Sequence, residues 1–246
     1  MRLLLLGTTG YHPNDRRQTA CVLIPECGVM LDAGTGMYRA GRRLRGPELD
    51  IFLTHAHLDH VIGLTYLFDV RYVHPLQRVT VHAEEAKLEA IERHLFAEAL
   101  FPERPPCELR PLEPRAALAG GGVLTHFPLA HPGGVVGFRL DWPGHSMAYV
   151  TDTTARPDAA YLEHIREVDL LLHECYFPDS WAEWAEKTGH SCTTPVAQLA
   201  RAARAKRLVL VHINPLDTEE DPVDLAAARR IFPHTDLGED LMEVEF

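Results

Sequence analysis

Within Thr54–His60, T-H-A-H-L-D-H, three imidazoles and a carboxylate fall inside six residues: His55, His57, Asp59 and His60. Neutral imidazole nitrogen and carboxylate oxygen together form the donor set that borderline cations such as zinc accept. The segment ends an apolar run, Asp50–Thr54, that reads as a strand. On a regular strand or helix the four side chains cannot all face one way, but a tight turn at a strand end can fan them around a metal cluster. His55 and His57 share one strand face at period two, and Asp59 and His60, around the next turn, address a second ion. A solvated His-rich turn is the competing reading, and it accounts for one or two histidines better than for four donors so close together.

Six residues do not complete two coordination spheres, so further donors must come from afar. His131 follows the run Val123–Pro128, Asp152 follows Met147–Thr151, and His212 ends Arg207–Val211. Each is a lone polar residue after an apolar stretch, and neighbouring strands would bring all three to one sheet edge. Other short runs rich in Leu, Val and Ile give strands near Arg2–Leu6, Ala20–Ile24, Val29–Asp32, Val79–His82, Val135–Leu140, Val168–Leu172 and Met242–Glu245. Helices are expected at Glu84–Ala99, at Pro195–Ala205 and at Pro222–Ile231, the last with Asp221 as N-cap. Pro102–Pro114 reads as a rigid loop. Strands in meander order followed by helix–strand alternation suit an α/β fold of two mixed sheets with outer helices, an αββα sandwich.

The chain has 246 residues, and no linker or repeat divides it, so a single domain over 1–246 is expected. A formal net charge of −11 argues against a protein that coats nucleic acid through bulk electrostatics. The opening M-R-L-L-L-L-G is too short for a secretory or membrane-spanning segment and reads as a buried strand. Five scattered cysteines with no C-x-x-C pair point to a reducing cytoplasm. Fifteen histidines exceed what core packing calls for.

The H-x-H-x-D-H motif, followed in order by His131, Asp152 and His212, resembles the metallo-β-lactamase superfamily. The likeness runs from L-G-T-T-G-Y-H-P near the start to V-H-I-N-P near the end. It implies the αββα sandwich and a two-metal site, with zinc first and manganese or iron as alternatives. By that resemblance His55, His57 and His131 hold one ion, Asp59, His60 and His212 the other, and Asp152 bridges them. The opening G-T-T-G-Y-H-P-N-D-R-R-Q-T is similar to tRNA 3′-processing endonucleases (RNase Z) and related cyclic-phosphate phosphodiesterases. L-L-H-E-C-Y-F resembles their H-E-A-T-F motif and G-H-S-C-T their H-S-T motif. Glu174 and His190 thereby become a pair serving the leaving group, and Asp59, Glu174 and His190 the catalytic candidates. His173 is left as a structural neighbour.

One departure bears on substrate. RNase Z inserts a long basic arm that grips tRNA between the third and fourth metal motifs, yet His131 and Asp152 are only 21 positions apart, room for one hairpin. Arg16, Arg17, Arg39, Arg42, Arg43 and Arg45 could contact phosphate, or form a solvated face. The expected activity is therefore metal-dependent hydrolysis of a small or nucleotide-like phosphodiester, by water activated at a pair of cations. The alternatives are an RNase Z-like endonuclease lacking the arm, or a lactonase or iron oxidoreductase of the same fold. The expected partner is an anionic small molecule; nucleic acid is less favoured, no membrane is involved, and a homo-oligomer is left open.

Overall fold

The computed structural model describes Met1–Phe246. In chain order its strands and helices are β1 (Arg2–Gly7), β2 (Cys21–Ile24), β3 (Val29–Leu31), β4 (Glu48–Phe52), α1 (Leu58–Val61), α2 (Leu67–Val73), β5 (Arg78–Ala83), α3 (Glu85–Ala90) and β6 (Glu108–Pro111). Then come β7 (Arg115–Leu118), β8 (Gly122–Leu129), β9 (Val135–Trp142), β10 (His145–Val150), β11 (Leu170–Glu174), α4 (Ala182–Thr188), α5 (Thr193–Ala203), β12 (Arg207–Val211), α6 (Leu225–Ile231), β13 (Thr235–Leu237) and β14 (Glu243–Glu245). The strands make two seven-stranded sheets, ordered β14-β1-β2-β3-β4-β5-β6 and β13-β12-β11-β10-β9-β8-β7. Two compact units are distinguished: Arg2–Gly120 with Asp240–Glu245, and Gly121–Glu239 with Met1 and Phe246.

Both sheets are mixed. In the first, β1, β2 and β3 are antiparallel neighbours and β3 to β6 run parallel. In the second, β8, β9 and β10 are antiparallel and β10 to β13 parallel. Parallel strands need helical crossovers. Accordingly one core forms where Leu64, Leu67 and Val70 meet sheet residues such as Leu23, Met30 and Ile51, and another where Val196, Leu199 and Ala200 meet Ala148, Leu171 and Leu210. Parallel packing aligns strand C-termini, the edge where α/β sheets place ligands. Residues just beyond β3, β4, β10 and β12 sit at such ends.

The expected strands are all present, several with shifted bounds. β4 ends two residues before Thr54 because Asp32 takes the Thr54 N–H and hydroxyl at 2.8 and 3.0 Å. His55 and His57 consequently lie past the strand rather than on its face. The helix expected to reach Ala99 ends in a wide turn at Ile91–Leu95, with Phe101 before Pro102 disfavouring helix. The Pro102–Pro114 loop contains the edge strand β6, where a proline is tolerated. α6 begins at Leu225, capped by Asp224 on Ala227 N–H at 3.0 Å, while Asp221 accepts from Leu225 N–H. No helix is long and apolar enough to cross a membrane.

Candidate metal centre

In the first unit the donor motif leaves β4, runs through an irregular stretch, and enters α1. His55 and His57 ring centroids are 4.4 Å apart, and His55 and His60 4.2 Å. Asp59 and His60 ride on α1, with Asp59 Oδ2 3.3 Å from His60 Nε2. The Tyr11 N–H donates to the same Asp59 oxygen at 2.7 Å. Gly63 allows this close fold: a Cβ there would lie 2.3 Å from the Gly34 carbonyl oxygen and 2.7 Å from that of Ala33.

Asp32, not singled out in the sequence, organises this half. It is fully buried and its Oδ2 is 2.8 Å from His60 Nδ1. It also accepts the Thr54 hydroxyl, whose oxygen lies 3.0 Å from His55 Nδ1. Two imidazoles are thus held through Nδ1 and present Nε2, the arrangement that orients metal-binding histidines. The signal for Asp32 was present, since V-M-L-D is a polar residue ending an apolar strand, the same criterion that selected Asp152.

In the second unit the distant donors converge. Asp152 Oδ1 is 3.8 Å from His131 Nε2, and Oδ2 is 3.4 Å from His212 Nε2, so its carboxylate turns one oxygen toward each imidazole. The Thr151 hydroxyl donates to Oδ2 at 2.7 Å, and His131 Nδ1 is fixed at 3.1 Å from the Gly189 carbonyl. Asp152, His212 and, in the first unit, Asp32 take left-handed backbone at φ 49°, 56° and 56°. Such conformations are costly for residues other than glycine and gather where function demands them.

Glu174 ends β11, fully buried, and meets His190 as expected, with Oε1 3.0 Å from Nδ1. Oε1 also accepts the Thr153 N–H at 2.7 Å, and Oε2 the Ser191 N–H at 3.1 Å. Donor atoms of His131, Asp152 and His190 lie within 4.8 Å of one another, as do those of Glu174, His190 and His212. The His190 ring stacks on Tyr176 at 4.5 Å. His173 is structural: burial lowers its pKa, and the neutral ring accepts from Tyr161 while donating to the Glu174 carbonyl. Nitrogen and carboxylate oxygen, oriented by partners on the far side of the ring, fit divalent cations in both units.

Of the basic residues, Arg17 is buried and donates to Thr8. Arg39 pairs with Asp240 at 2.5 Å. Their charge serves the fold rather than a phosphate contact.

A family model described as a beta-lactamase superfamily domain matches residues 28–213. The chain belongs to that superfamily. It is a metal-dependent hydrolase. Ribonuclease Z of Methanosarcina mazei is 28% identical over 302 residues, covering 100% of this chain and 98% of the relative. That alignment is longer than this chain, so the relative carries segments absent here. The metallo-beta-lactamase fold protein YhfI of Bacillus subtilis superposes with a TM-score of 0.82 at 17% identity, covering 99% of each chain. A diphosphatase of the PhnP family gives 0.72 at 22% identity, covering 100% of this chain and 97% of its own. Both likenesses show the metallo-beta-lactamase fold, the αββα class expected from sequence.

Proposed function

We propose that the protein is a phosphodiesterase acting on a small or nucleotide-like phosphodiester, its residues 1–246 working as one domain. The observation that carries this reading is the buried Glu174 carboxylate on His190 Nδ1, with a His190 nitrogen within 4.8 Å of donor atoms of Asp152 and His131. An alkoxide expelled from phosphorus gains from a positioned acid. The diphosphatase neighbour and the family match across both units support the reading.

His55, His57, Asp59, His60, His131, Asp152 and His212 are the proposed ligands of two divalent cations, zinc first. When bound, the cations would supply Lewis acidity that acidifies water and offsets charge on the non-bridging oxygens. The chain's own part is then clear. Asp152 accepts a hydrogen bond from the attacking water and aligns it, and Glu174 fixes the His190 ring so that Nε2 faces the departing oxygen. Water oxygen bonds to phosphorus, the bond to the leaving oxygen breaks with its electron pair, and His190 gives that oxygen its proton. The proton lost by water restores the ring.

A second reading, tRNA 3′ processing, is favoured by the ribonuclease Z relative. Against it, β9 and β10 join through a tight turn with Gly144 at φ 83°, and this hairpin fills the stretch between His131 and Asp152. No gripping arm stands there. Side-by-side assays on a nucleotide diester and on precursor tRNA test the choice: turnover of the diester alone supports the first reading, and accurate 3′ cleavage of the precursor overturns it.

A further inference from the structure

A cavity of about 470 Å³ opens beside His190 in the second unit, within the usual range of small-molecule sites. Ala155, Pro157, Ala182, Ala185 and Pro195 supply its apolar walls, with His190 at one side. The polar side chains that also line it are matched to one another. Asp179 accepts the Thr194 N–H at 2.9 Å and its hydroxyl at 2.6 Å, and Arg156 pairs with Glu186 at 2.7 Å. Two carboxylates against one guanidinium leave the lining net negative, which repels a phosphate or a run of RNA phosphates. Burial pushes the Cys192 thiol up to about 11, so it adds an uncharged surface at neutral pH. The occupant that fits is uncharged and largely apolar.

We propose that this cavity receives the leaving alcohol of the scissile diester and selects a flat, uncharged one, an aryl or nucleoside alcohol. The inference rests on the phosphodiesterase reading, because only there does His190 face a departing oxygen. The proton donor and the cavity share one side chain, so an alcohol seated against Ala182 and Ala185 would have its oxygen beside His190. Hydrolysis then leaves the phosphorylated half as a monoester and the alcohol, protonated by His190, in the cavity.

Ala182 is exposed at the start of α4, so Ala182→Phe fills the cavity without disturbing a core. The test compares two diesters of the same nucleotide, one releasing phenol and one trifluoroethanol, through the variant-to-wild-type ratio of KM for each. The expected result is a KM rise at least tenfold greater for the phenyl ester than for the trifluoroethyl ester. Equal changes for the two, or none, would overturn the assignment. Phenol is also titrated into the protein as purified while amide and indole NMR signals are followed. Wild type should show shifts at Ala182, Ala185 and Trp184 that Ala182→Phe abolishes, and absence of such shifts overturns the cavity assignment. Phenol binding without turnover of either diester would keep the cavity and refute the phosphodiesterase reading instead.

Discussion

Replacing His190 of the Glu174–His190 pair should separate chemistry from folding. In His190→Ala the lost group is partly exposed and its ring packs on Tyr176, while the donor atoms of His131, Asp152 and His212 stay in place. A general acid contributes about 10²–10⁴ in rate, or roughly 2.7–5.5 kcal/mol at 1.36 kcal/mol per decade. Turnover of a diester with a poor leaving group should fall by that factor, and a nitrophenyl ester, whose leaving group needs little help, should lose far less. Metal content should be unchanged. Glu174→Gln is a different perturbation, because the carboxylate is fully buried and serves three contacts, to Thr153, Ser191 and His190. An amide keeps one acceptor oxygen and sets its NH2 against a backbone N–H. One charge-assisted bond lost costs about 1.5–3 kcal/mol, which in a chain of this size lowers Tm by roughly 3–12 °C at about 2–4 °C per kcal/mol. Paired kcat, metal analysis and thermal melts read all of this. An unchanged rate of His190→Ala on the poor leaving group would refute the acid role.

Other outcomes follow from the same structure. Gly63→Ala places a Cβ against two backbone carbonyls under α1, so it should cost about 1–3 kcal/mol and weaken metal retention, read by thermal melts and metal titration. Burial alone would raise the Asp50 pKa, but hydrogen bonds from His82 and Arg78 outweigh it and hold the group at about 2. Its contribution, about 1 kcal/mol once solvent screening of a partly exposed pair is allowed for, is present above the unfolded carboxylate range and lost as pH falls through about 2. Asp50→Asn should therefore melt earlier than wild type at pH 7, the gap closing between roughly pH 4 and 2; a gap constant down to pH 2 contradicts the assignment. Burial raises the thiols of Cys175 and Cys192, so native protein at pH 7 should alkylate there far more slowly than denatured protein, as peptide mapping would show.

The donors were legible because several potential metal ligands each follow an apolar run. Three imidazoles and an aspartate after an apolar run, then His131, Asp152 and His212 after three more, occupy the strand-end positions expected of them. Glu174 and His190 were found only through motif likeness, since no spacing links residues sixteen apart, and the structure joins them by a 3.0 Å contact. Asp32 meets the same strand-end criterion as Asp152, but its work on Thr54 and His60 is visible only once β3 and β4 are paired. The symmetry of the two sheets was hidden for a similar reason. Short edge strands such as β6 and β13 have few buried residues and so little periodicity, and the first half read as a meander although β3 to β6 are parallel.

As proposed, the protein is a phosphodiesterase that depends on divalent cations. The most direct test is turnover of a phosphodiester, a phosphomonoester, a lactone and a β-lactam by the same preparation, as purified, after chelation, and after adding back zinc or manganese. Diester hydrolysis should be abolished by chelation and restored by metal. Activity confined to the lactone or the β-lactam, or diester turnover indifferent to chelation, would contradict the proposal.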